Sequence, residues 1–173
     1  MPTTDELIRF LHLEPLPREG GWYREMYRSP LQLSADALIP HYRDAHAAST
    51  AIYYLLTPDT FSALHRLPTD EVFHFYLGDP VEMLQLGPNA EDSGRIVTLG
   101  PDILAGQQVQ TVVPAGVWQG STLRAGGAFA LMGTTMAPGF DFADYEAADR
   151  VALTAAFPQF SERIARLCSE PTS

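Results

Sequence analysis

The chain has 173 residues, 46% of them apolar and 18% charged, enough to bury a core within a single domain without disulfide or metal staples. No apolar run approaches the roughly 20 residues that span a bilayer, and a net charge of −10 disfavours partners held through phosphates, so neither a membrane nor a nucleic acid is an expected partner. All eleven basic residues are arginine, and the absence of lysine removes Schiff-base chemistry and lysine-held pyridoxal phosphate.

The opening MPTTDELIRF is acidic and amphipathic, unlike a secretory signal, and together with a lone Cys168 it predicts a cytoplasmic protein. Thr3 and Glu6 stand at capping-box spacing and Leu7, Ile8 and Leu11 share a face, which predicts a helix over 4–12 ended by Pro15 and Pro17. Gly20 and Gly21 open a strand in which Trp22, Arg24, Met26 and Arg28 alternate with Tyr23, Glu25 and Tyr27. Residues 34–48 are polar and mixed and read as a loop. His41 and His46 fall in that loop and His12 at the surface, with His46 placed to fold over a pocket as a lid.

From Ser49 onward the text becomes strands divided by turn signals: STAIYYLLT, FSALHRL, EVFHFYLG, VEMLQLG, RIVTLG, QTVVPAG, WQGSTL and GAFALMGTTM. Short strands with frequent turns and no helices between them describe an antiparallel sandwich or barrel. After Pro138 and Gly139 an acidic stretch, DFADYEAAD, leads into a helical tail over 150–167 that is interrupted near Pro158. The expected organisation is one all-β domain over 1–173, with a lead-in over 1–20, a barrel over 21–137 and a tail over 138–173.

Two segments carry polar residues out of place on apolar strands. In the first, His65 is followed six residues later by Glu71, and Gly78 lies seven positions beyond that; in the second, Pro114 and Gly116 form a turn followed by Trp118 and Gln119. These motifs resemble the cupin superfamily of small jelly-roll barrels, whose first motif carries two histidines, a glutamate and then a glycine seven positions on, and whose second carries Pro-x-Gly and a third histidine. Here His65 is the one histidine before Glu71, and Gln119 stands at the third histidine's position. A further resemblance, through PREGGWYREMYRS, STAIYYLL, FSALHRLPTDEVFHFYLGDP, VPAGVWQG and MAPGFDFADYE, is to a branch of small cupins related in fold to dTDP-sugar epimerases. It implies a double-stranded β-helix with a ligand-sized pocket, present as a homodimer, whose natural candidate for pairing across subunits is the strand from Trp22 to Arg28.

The resemblance implies two chemistries. In a metal-free isomerase or epimerase His65 is the base, since histidine as a residue type titrates near neutral pH. Glu71 or Asp70 orients it, and Tyr53, Tyr54 or Tyr76 is the acid. In a metal-dependent enzyme His65, Glu71 and Gln119 hold a divalent transition metal, with manganese or nickel best suited to mixed nitrogen and oxygen donors. Ligand contacts are assigned to Trp118, Gln119, Gln110, Phe73, Arg24 and Trp22, and the expected ligand is a small, carbohydrate-like metabolite. The arginine that precedes the glycine in the epimerases' phosphate-contacting strand is replaced by Gly20. Strand alternation places His74 opposite to Glu71, between sheets or at a subunit contact. A salt bridge from Glu71 to Arg66 or Arg24, a structural role for APGFDFADYE and a non-catalytic ligand sensor remain the alternatives.

Overall fold

A computed structural model describes residues 2–37, 42, 44–87 and 94–168. Helix α1 (Thr4–Leu11) is closed at its start by both halves of the capping box: Thr3 Oγ1 accepts from the Glu6 amide and the Thr3 amide donates to Glu6 Oε2. His12, in the left-handed region, ends it. The described strands are β1 (Glu14–Pro15), β2 (Trp22–Arg28), β3 (Gln32–Leu33), β4 (His46–Ala47), β5 (Thr50–Leu56), β6 (Phe61–Arg66) and β7 (Glu71–Gly78). They continue as β8 (Val81–Leu86), β9 (Arg95–Leu99), β10 (Gln110–Val113), β11 (Trp118–Leu123), β12 (Ala130–Met136) and β13 (Glu146–Ala147). The tail forms α2 (Arg150–Ala156) and α3 (Ser161–Leu167), divided at Pro158 by a single 3₁₀ turn.

One sheet runs β1-β2-β5-β12-β7-β10 and the other β13-β6-β11-β8-β9, all antiparallel, with β3 and β4 paired apart from both. From β5 to β13 sequence neighbours alternate between the sheets except at the β8–β9 hairpin, which is the jelly-roll arrangement. The stretch 34–48, read as loop, therefore contributes a strand at His46–Ala47. The two inner faces meet over Leu56, Phe73, Phe75, Met83, Leu99 and Met132. Helix α1 covers the outside of the first sheet through Leu7, against Leu55 and Leu131. The tail helices cover the second through Ile164 and Leu167, against Leu64 and Leu84. Each such buried aliphatic contributes about 1.5–3 kcal/mol.

Three register shifts decide which side chains reach the interior. On β6, His65 pairs with Gln119 but Ser62 pairs with Ser121, so Ala63 is an extra residue. Its amide leaves the ladder and donates to the Glu19 carbonyl at 2.7 Å. An inserted residue restores the same face at i and i+3, so Ser62 and His65 both point inward. On β2, Glu25 pairs with Ile52 and Tyr27 with Ala51, which makes Met26 the extra residue and turns Arg28 to the same side as Glu25. On β7 the shift falls between Phe75 and Leu77. Leu77 therefore packs under α1 instead of sharing the inner face with Glu71, Phe73 and Phe75.

Candidate functional site

A cavity of about 330 Å³ opens at one end of the barrel. Glu19, Tyr54, Glu71 and Thr134 line its depth, and Glu25, Arg28, Phe140, Asp141 and Phe142 line its mouth. Glu71 opens β7 and is 7% exposed. Burial, the largest influence, and the neighbouring Glu19 push its carboxyl above the ordinary carboxylate range, while His65, Thr134 and Gln119 pull it partly back. Gln119 Nε2 donates to Glu71 Oε2 at 2.6 Å.

Glu19 arrives from a turn outside the strands. Gly20 and Gly21 both sit at positive φ, the Gly20 carbonyl accepts from the Tyr54 hydroxyl at 3.0 Å, and the Glu19 carbonyl accepts from the bulged Ala63. These bonds tie the turn to the barrel and aim the Glu19 side chain inward, where Oε1 accepts from Ser62 Oγ at 2.8 Å and Oε2 lies 3.9 Å from His65 Nε2. The Tyr54 hydroxyl is pushed well above its usual range by burial and by Glu19.

His65 is 1% exposed and stands behind Glu19, outside the cavity wall itself. Its Nδ1 lies 2.7 Å from the Ala63 carbonyl and donates to it, which leaves Nε2 as the ring nitrogen turned toward Glu19. The ring of Tyr145 stacks on it at 4.9 Å, and burial pushes the Tyr145 hydroxyl up.

Tyr145 belongs to the segment over 137–149 that roofs the barrel. Phe140 and Phe142 from this segment line the cavity mouth, and Asp144 Oδ2 meets His46 Nε2 at 2.7 Å. His46 is thus buried, 6% exposed, and is neither a surface residue nor a lid: it is the anchor that holds the roof. The APGFDFADYE motif, read as structural, also builds the pocket.

Of the residues assigned from the sequence, Glu71 and the candidate acid Tyr54 line the cavity, with Gln119 and His65 directly behind its wall. Phe73 faces the interior but is 1% exposed and serves the core. The others lie elsewhere. Tyr53 is on the outer face of β5, edge-on to Tyr76, because Tyr54 takes the inward place in the alternation. Trp22 packs with it near α1, and Arg24 donates to the Leu11 carbonyl at the end of that helix. Trp118 faces outward because Gln119 faces inward; it lies among Leu86 and Phe157 with the Arg66 guanidinium 4.5 Å above its ring. Gln110 is exposed and meets His74 Nδ1 on the outer face. Neither Arg66, which pairs with Glu146, nor Arg24 salt-bridges Glu71, and Asp70 accepts from the Ala115 amide rather than orienting His65.

Sequence reasoning missed Glu19, Ser62, Arg28, Phe140 and Tyr145. The pair Gly20-Gly21 is the signal that marks the Glu19 turn; no composition cue marks the bulges.

A family model described as the Cupin superfamily (DUF985) matches residues 5–148. The chain is a member of that cupin family. Among solved structures, this cupin is similar to a hypothetical protein from Leishmania major, 30% identical with a TM-score of 0.85, over 98% of this chain and 100% of that one. It is likewise similar to protein SO0799 from Shewanella oneidensis, 34% identical with a TM-score of 0.83, over 98% and 99% of the two chains. The uncharacterized yeast protein YML079W of Saccharomyces cerevisiae is 29% identical over 136 residues, 74% of this chain and 67% of its own. Bacillus subtilis oxalate decarboxylase shares the fold at 16% identity and a TM-score of 0.53, over 94% of this chain and 39% of that one.

Bacillus subtilis oxalate decarboxylase has Mn(II) centres, so the donor set of this cupin is to be weighed against a metal. The two do not fit. Gln119 presents an N–H to Glu71, which occupies the carboxylate oxygen a metal would take. Among the described residues no group of three or more His, Cys, Asp or Glu converges closely enough to hold an ion.

Proposed function

We propose that this cupin binds a small polar metabolite in the barrel mouth and moves a proton on it without a metal, as an isomerase or epimerase does. The observation that carries the reading is the cavity floor, where a buried carboxyl held above its ordinary range, Glu71, lies beside a second, Glu19. A raised carboxyl keeps its proton to higher pH than an exposed one, which suits a general acid or base on a carbon acid. Gln119 fixes Glu71 and Ser62 fixes Glu19, so both oxygens are positioned before a ligand arrives. His65, with its Nε2 turned toward Glu19, serves as a proton relay behind the floor, a positioning role one step back from the catalytic one read in the sequence.

The test is exchange of carbon-bound hydrogen in deuterated water, over a panel of aldoses, ketoses and their amino derivatives, followed by mass shift. Exchange is expected with at least one panel member, falling by a factor of about 10²–10⁴ in Glu71→Gln with the melting temperature kept. About one transition metal per chain in protein purified without chelators, lost in Glu71→Ala, would overturn the metal-free reading. Two copies are proposed to pair through β2, because β1 covers that strand only at Trp22 and Tyr23; a monomeric mass by light scattering would refute this.

A further inference from the structure

The lining of the cavity also bears on the charge of its ligand, and this inference rests on the proposed function only in placing the ligand there. Four acidic side chains line it: Glu19 and Glu71 at the floor, Glu25 and Asp141 at the mouth. Among the described residues Arg28 is the one basic side chain of the lining, and Glu25 already takes both its Nε, at 2.9 Å, and its Nη2, at 2.8 Å. Among the described residues an incoming anion finds no uncommitted cation in the lining, and it meets a field of the wrong sign, reinforced by the chain's net charge of −10.

The hydrogen-bond inventory points the same way. The Tyr54 hydroxyl donates to Gly20 and the Ser62 hydroxyl to Glu19, so these two donors at the floor are engaged. The carboxylate oxygens of Glu19 and Glu71 outnumber these donors, and one acceptor behind the wall has no partner at all. Gln119, 2% exposed, keeps its Oε1 without a hydrogen-bond partner, on the same amide group whose nitrogen meets Glu71. A buried acceptor without a donor costs about 1–3 kcal/mol unless something supplies one. Apart from Thr50 and Thr134, the rest of the wall, including Leu16, Ile52, Met136, Phe140 and Phe142, is apolar or aromatic. Such a wall suits a compact hydrocarbon body and, through its rings, a cation.

We infer that the ligand of this cavity is a small organic cation, an ammonium or guanidinium head directed at Glu71 and Glu19 on a compact apolar body seated between Ile52, Met136 and the roof phenylalanines. A nucleotide-sugar or a dicarboxylate is disfavoured by the same lining. About 330 Å³ lies at the small end of ligand pockets, which limits the body to roughly one ring or a short chain.

The experiment is calorimetric titration of the full chain with three compounds of matched shape: phenethylamine, 2-phenylethanol and 3-phenylpropanoate. The amine is expected to bind at least tenfold more tightly than the alcohol, and the carboxylate not at all. In Glu71→Gln and, separately, Glu19→Gln, the amine should fall toward the alcohol while the alcohol stays where it is. Both are near-isosteric changes, and equal melting curves certify the fold. Amine affinity should also rise as pH climbs through the raised range of Glu71, since the ammonium needs the ionised carboxyl. Equal affinity for all three compounds, preference for the carboxylate, or binding of none at millimolar concentration would overturn the inference. Amine binding in this order without deuterium exchange would refute the proton-transfer reading and leave the ligand class standing; exchange on anionic substrates alone would do the reverse.

Discussion

Glu19 reaches the cavity only because Gly21 lets the chain turn against Tyr54, so Gly21→Ala is the sharpest test of how the site is built. Gly21 has φ +74°, a region that costs an alanine about 1–2 kcal/mol. A Cβ there would stand 2.8 Å from Tyr54 Cε2 and 3.0 Å from its hydroxyl oxygen. The Tyr54 ring is 1% exposed and has no room to swing aside. Its displacement breaks the hydroxyl bond to the Gly20 carbonyl, worth about 1 kcal/mol. Together these give about 2–3 kcal/mol, or a fall in melting temperature of roughly 5–10 °C for a chain of this length. Scanning calorimetry should show that fall, with phenethylamine binding weakened further because Glu19 lies two residues away. Tyr54→Phe alone should lose about 1 kcal/mol, and the double variant should lose less than the sum, since the same hydrogen bond is then removed once. A wild-type melting temperature for Gly21→Ala, or strict additivity in the cycle, would refute this account of the turn.

The raised Glu71 carboxyl makes stability full below the ordinary glutamate range and lower as pH climbs through the folded value. Glu71→Gln should therefore melt above the wild type at pH 8 and level with it near pH 4.5; a variant less stable at both would mean that a partner holds Glu71 ionised. For His46, burial is the largest influence and pulls its imidazolium down, yet the Asp144 bond and the Asp44 carbonyl outweigh it and the net shift is upward. Its contribution is thus full below about pH 6.5 and lost as pH rises through the folded value. In His46→Ala that slope should vanish, and amide hydrogen exchange over 140–145 should quicken at pH 6; unchanged exchange would show that the roof is held by other contacts. Tyr53→Phe should leave ligand binding and deuterium exchange as they are, because Tyr53 faces α1 and Tyr76; a tenfold loss would place it in the site after all.

Much of the scaffold was legible in the sequence because its signals are local. Turn residues bound each long strand, the capping box fixes α1, and the Pro158 break divides the tail. Alternation settles a strand once one inward residue is known: with Gln119 inward, Trp118 has to be outward, although its place beside the Pro-x-Gly turn suggests a ligand contact. The bulges are a different matter. Ala63 and Met26 are ordinary strand residues, and their insertion reflects the pairing partner across the sheet, which no local pattern encodes. Each reverses the parity of the residues beyond it, and that is why Ser62 and Arg28 do not stand out in the sequence. The roof depends on contacts of long sequence separation, His46 with Asp144 and His65 with Tyr145, which are likewise invisible to periodicity.

The substitution at the third-histidine position links these observations. An imidazole there would offer a lone pair to whatever lies at the barrel centre. Gln119 instead gives an N–H to Glu71 and leaves an oxygen with no donor. That N–H favours the ionised form of Glu71 only in part: burial and Glu19 outweigh it and hold the carboxyl up. The result is a floor that accepts protons and hydrogen bonds, with its one nearby imidazole turned toward a carboxylate. A jelly-roll barrel supplies the same inward positions whatever occupies them. On the reading proposed above, the residues at those positions, with Glu19 brought in by a turn from outside the barrel strands, hold and pass a proton beside a cationic ligand in place of gripping a metal ion.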